Sequence, residues 1–235
     1  MTTAAYSRAA RRVDALVGTP AILLVAGIYG GRAGARCLAG FAGALAVQHG
    51  ALGLLGRRVA PAPASAAFLL TWARADVGAL LAGLVASGVR DRAGPAGWLG
   101  WLATLLAATL ADWCDGPLAR RVGPTALGGA LDIEADSWLT LWSCVGAVAW
   151  GGLPRGCLVP PLLRYLHPLA AWHSGRLPTG DGACWVRLAG ASQMAAIVAA
   201  LAPWAVPGRA RWLRRAALAA SGTQGVVQAV QLRHR

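Results

Sequence analysis

The sequence has 235 residues, 57% hydrophobic and 13% charged, with a mean hydropathy of +0.52. A soluble domain carries about 25% charged residues, so a soluble globular chain is excluded, and the lack of strand-like alternation excludes an outer-membrane barrel. The net charge of +13 comes entirely from arginine, in short pairs between apolar runs, which suits loops facing anionic lipid headgroups or phosphorylated substrates and not a nucleic-acid groove.

Arg8, Arg11 and Arg12 precede a first apolar run from Ala15 to Gly31. It has no small-residue cleavage site and reads as a retained helix. A second run extends from Cys37 to Gly56 and ends at Arg57 and Arg58. Ala60-Pro61-Ala62-Pro63-Ala64-Ser65 is the clearest linker and divides N-terminal extra membrane helices, residues 1–60, from residues 61–235. Beyond it, apolar stretches predict helices over about 66–89, 97–115, 126–150, 157–173, 187–205 and 212–232. The fold class is therefore all-α, a polytopic membrane bundle with a six-helix core plus one or two extra N-terminal helices.

Arg90-Asp91-Arg92, Arg120-Arg121, Arg155 and Arg176 mark short loops. With a cytoplasmic N-terminus and eight spanning segments, the 116–125 loop faces the cytoplasm, although the arginine-rich 209–215 connection then faces outward. Trp98 and Trp212, near helix ends, read as interface anchors. The cysteines at 37, 114, 144, 157 and 184 show no CxxC pairing and read as buried free thiols.

Five of the nine acidic residues, Asp112, Asp115, Asp132, Glu134 and Asp136, fall within one short stretch inside or beside apolar helices. Each carboxylate at membrane depth costs at least about 2.5 kcal/mol unless paired, hydrated or metal-bound. Asp112 and Asp115 are three apart and share one helix face, and Asp132 and Asp136 are four apart and share another. Glu134 points elsewhere. Gly116-Pro117 ends the first helix just after its second aspartate, so a short turn sets the two pairs facing each other. Four hard carboxylates without a His or Cys pattern favour Mg²⁺ or Mn²⁺ over zinc. The alternative is an internally paired network such as Asp112 with Arg120, without metal.

The stretch Asp112-Trp-Cys-Asp115-Gly116-Pro-Leu-Ala119-Arg120, then seven residues, then Gly128-Gly-Ala-Leu-Asp132-Ile-Glu-Ala-Asp136 resembles the signature of the CDP-alcohol phosphatidyltransferases. That signature is DxxDGxxAR, seven or eight residues, then GxxxDxxxD. All eight defining positions match. The segments after the linker look like that family's six-helix core, and Leu70-Thr71-Trp72-Ala73-Arg74 looks like its usual entry. The first 60 residues fall outside the resemblance.

The resemblance implies phospholipid synthesis in which an alcohol attacks the β-phosphorus of a CDP-linked lipid, usually CDP-diacylglycerol, and CMP leaves. It implies two divalent ions, Mg²⁺ or Mn²⁺, held by Asp112, Asp115, Asp132 and Asp136, with Asp136 also the general base. It places Gly116 and Ala119 against the cytidine moiety and Arg120 at phosphate. A homodimer, and a bacterial plasma membrane with the site facing the cytoplasm, are expected with it. Arg74 and Arg164 lie in apolar stretches, where each either binds a phosphate of nucleotide or acceptor or pairs with an acid such as Asp76. Scattered arginines favour a phosphorylated acceptor, inositol phosphate or glycerol phosphate. A divalent-cation transporter and a catalytically inactive lipid-binding member are the rival readings.

Overall fold

A computed structural model of the chain describes residues 3–57, 65–88, 101, 103–111, 114, 121, 125–150, 153–163, 165, 192–199, 212, 215–223 and 226. Helix α1 (Thr3–Val13) passes through a π-helical turn, Asp14–Gly18, into α2 (Thr19–Tyr29). Then come α3 (Gly31–Gly56), α4 (Ala66–Ser87), α5 (residues 103–111) and α6 (Ala126–Ala149). A 3-10 turn at Arg155–Leu158 leads into helical residues 159–163, and residues 192–199 and 215–223 are also helical. Among the described residues there is no strand. The described residues within each expected helix are helical, apart from the ends of some stretches, and α3 starts earlier than the apolar run suggested; the remainder of the stretches 97–115, 157–173, 187–205 and 212–232 lies outside the described residues. The Ala/Pro linker at 60–64 lies outside the described residues.

Among the described residues, three helices are long and apolar enough to cross a membrane: Ala4–Tyr29, Gly31–Gly56 and Ala66–Ser87. The first two are joined at Gly30, whose φ of 60° is open to glycine without strain. Ser65 caps α4, its hydroxyl accepting the Phe68 backbone N–H at 3.2 Å. Thr125 does the same for α6, accepting from the Gly128 N–H at 3.0 Å. Gly88, at φ 68°, ends α4 in the left-handed region.

The chain forms two compact units, Met1–Val89 with Gly100–Trp142, and Arg90–Leu99 with Ser143–Arg235. In the first, α4 is the central helix: 61% of its most apolar window is buried, against 28% and 22% for the two spans before it. Those outer helices turn Leu16, Leu24 and Ile28 outward, as a lipid-facing surface requires. Gly83 of α4 lets α3 approach closely, since a Cβ there would stand 2.7 Å from the Cys37 carbonyl. Tyr6, Val13, Leu52, Phe68, Trp72, Leu127 and Leu131 form one cluster, so α1, α3, α4 and the start of α6 share a core. In the second unit, Cys144, Leu153, Cys157, Ile197 and Ala217 pack together. Cys37, Cys144 and Cys157 are buried free thiols as expected, while Cys114 is exposed. Trp212 is 70% exposed, and Trp98 lies outside the described residues.

Candidate functional site

Asp132 and Asp136 stand one turn apart on α6, so both carboxylates leave the helix on one face. Their side chains are 45% and 38% exposed. Against that face α4 presents Arg74, whose side chain is 1% exposed. Its terminal nitrogen donates to the Asp132 carboxylate and lies 3.4 Å from the Asp132 carbonyl oxygen. Its Nε lies 3.5 Å from Asp136 Oδ1. One guanidinium thus meets both aspartates, as a planar fork of donors can and a point-charge ammonium cannot. Gly78, one turn further along α4, admits the approach: a Cβ there would come 2.6 Å from the Trp138 ring of α6.

This contact orients the pair. The two carboxylates are half-exposed, and their contact with the buried arginine ties both to one face of α6. Hard anionic oxygens arranged this way suit a small divalent cation, and Arg74 offsets part of their mutual repulsion. Among the described residues no group of three or more His, Cys, Asp or Glu side chains is placed to hold a metal ion. Asp112 and Asp115 lie outside the described residues, as do Gly116, Ala119, Arg120 and Arg164. The fit of Mg²⁺ or Mn²⁺ therefore rests on the α6 half of the donor set.

Arg74 has an acidic partner, as one of its two expected roles required, but the partner is the Asp132–Asp136 pair, not Asp76. Asp76 belongs to a second polar group outside the signature, with Asp14, His49 and Trp72. The signal for it was available: Asp14 and Asp76 are acids standing within or beside long apolar runs, outside the hairpin.

A family model described as CDP-alcohol phosphatidyltransferase matches residues 59–227, well over half of the chain. No curated protein and no solved structure matches the chain.

Proposed function

We propose that this chain, which belongs to the CDP-alcohol phosphatidyltransferase family, transfers the phosphatidyl group of CDP-diacylglycerol to an alcohol acceptor and releases CMP. Membership makes it a phosphotransferase of an integral membrane type that is generally dependent on divalent cations. The observation that carries the finer reading is the Asp132–Asp136 pair, half-exposed and clamped by buried Arg74, inside an intact signature.

In this reading Asp112, Asp115, Asp132 and Asp136 hold two divalent ions, which when bound would polarise the phosphate and offset the charge of the departing CMP. Asp136 accepts the acceptor's hydroxyl proton. The acceptor oxygen forms a bond to the β-phosphorus as the bond from that phosphorus to the CMP oxygen breaks. Gly116 and Ala119 leave room for the cytidine, and Arg120 meets phosphate as a charge-assisted donor. Arg74 keeps the α6 carboxylates in register, and Arg164 is assigned to a phosphate of nucleotide or acceptor. The abundance of arginine favours a phosphorylated acceptor, inositol phosphate or glycerol phosphate. Residues 61–235 act as the catalytic core, two copies pair in the membrane, and the hairpin faces the cytoplasm.

The test supplies the purified chain with labelled CDP-diacylglycerol, Mn²⁺ and a panel of acceptors, and resolves products by mass. A phosphatidyl product with equimolar CMP is expected from one acceptor. Mn²⁺ uptake into vesicles with no CMP formed from any acceptor would replace this reading with transport.

A further inference from the structure

The face of α4 opposite Arg74 carries a second set of buried polar groups. Trp72 and Asp76 are one turn apart on it, whereas Arg74, two positions from each, points the other way. Asp14 opens the π-helical turn between α1 and α2, a rare geometry that concentrates at functional positions. Its carboxylate accepts the Trp72 indole N–H at 2.7 Å and lies 2.6 Å from His49 Nε2 of α3. Asp76 adjoins Asp14 and is completely buried. The Gly18 backbone N–H and the Asp14 carboxyl are its hydrogen-bonding neighbours, and no donor meets either of its oxygens in full bonding geometry. Gly18, closing the π turn, brings backbone onto this carboxylate, since a Cβ there would stand 2.8 Å from Asp76 Oδ2. Gln48 of α3 donates its Nε2 to the Ala75 carbonyl at 3.1 Å, and its buried Oε1 has no donor.

The charges do not close without a further cation. His49 and Trp72 serve Asp14, and Arg74 is engaged by Asp132 and Asp136 on α6. That leaves the Asp76 carboxyl in the apolar interior with the Gly18 N–H as its neighbouring donor, next to a second carboxylate. An unsatisfied buried acceptor is already costly, and a buried charge more so. A positive charge held between the two carboxylates would offset their repulsion.

We propose that Asp76, with Asp14, forms a binding site for one small monovalent cation, a proton or an alkali-metal ion, between the N-terminal helices and α4. Asp14 and His49 both precede residue 59, where the family match begins. The site is thus built in part from the chain outside that match, and it stands or falls independently of phosphatidyl transfer.

Thermal melting of the purified full chain in detergent tests it without reference to activity. Scans run from mildly acidic to mildly alkaline pH, in sodium chloride or in choline chloride of equal ionic strength. In choline the melting temperature should fall as pH rises, because the bound proton is lost. If an alkali ion can take its place, sodium restores roughly 3 °C or more at alkaline pH and nothing at acidic pH. A pH response with no sodium response identifies the proton as the only occupant. The decisive quantity is the difference from Asp76→Asn, whose neutral amide should flatten the Asp76-dependent response. Should Asp76→Asn fail to fold, His49→Gln carries the test, because the response it retains belongs to the carboxyl pair. A wild-type melting temperature indifferent to both variables, an Asp76→Asn variant with the full wild-type response, or a flat His49→Gln would each overturn the proposal.

Discussion

Arg74 carries a guanidinium into the middle of α4, the most buried of the three described spans, where Asp132 and Asp136 meet it. The pair and the arginine depend on each other: without Arg74 two carboxylates one turn apart repel, and without them a buried cation is stranded. Arg74→Ala should therefore cost about 1–3 kcal/mol of stability, since hydrogen bonds to charged groups are worth that much when one partner is removed. It should also lower kcat, because the catalytic spacing is no longer held. Arg74→Lys keeps the charge but not the fork and should fall between the two. Melting temperature and CMP release measured on the same preparations decide the matter; an Arg74→Ala chain equal to wild type in both would show that the contact positions nothing. Asp136→Asn should behave differently. Its side chain is 38% exposed and the change is isosteric, so folding should survive while CMP release drops by about 10²–10⁴-fold, the range for losing a general base. A variant that kept more than a tenth of wild-type turnover would remove Asp136 from that role.

At the scale of helices, close approach depends on what glycine lacks. Gly83 sits where a methyl group would press on the Cys37 carbonyl at 2.7 Å and on Ile22 at 3.1 Å, whereas Gly43 of α3 has nothing within 4 Å of the same added atom. Gly83→Ala should destabilise by about 1–3 kcal/mol, the usual cost of overpacking. Gly43→Ala should be neutral or stabilising, since alanine is the better helix former. Comparing the two melting temperatures checks the α3–α4 packing directly, and equal effects would contradict it. Much at this scale was legible in the sequence. The span of α4 follows from Ser65 at its cap and Gly88 at its end, and the α6 aspartates follow from a spacing that their chemistry constrains. The α2–α3 turn was harder to place. Arg32 and Arg36 lie between the two apolar runs, but arginine is a good helix former whose long stem can carry its charge away from the apolar surface, so α3 begins at Gly31, directly after Gly30. The partner of Arg74 was also hidden, because Asp132 is 58 positions away and nothing local in a sequence reports which helix packs on which.

For the molecule as a whole, the question is what the first two spans contribute to a core that the family match begins only at residue 59. The helices α1 to α3 cover the face of α4 that holds Phe68, Trp72 and Asp76, and Tyr6 packs edge-on against Phe68 with ring centroids 4.9 Å apart. Removing residues 1–57 would turn Trp72 and the Asp76 carboxyl toward lipid. The Trp72 N–H would lose its acceptor on Asp14, and the carboxyl would lose whatever cation the group shares. In hydrocarbon each such polar group costs several kcal/mol, while the apolar surface exposed beside them costs little, because lipid is as apolar as the helices it replaces. The penalty is thus concentrated in a few polar atoms. A chain starting at residue 58 should accordingly fail to accumulate in the membrane, and co-expression of residues 1–57 as a separate chain should restore it, since spanning helices insert independently and associate afterwards. Changing Asp76 to leucine within the truncated chain removes the most expensive exposed group and should restore part of the yield by itself. Immunoblots of membrane fractions from the three strains report all of this. Full accumulation of the unassisted truncated chain would mean that the N-terminal helices are an accessory to the core and do not form one of its walls.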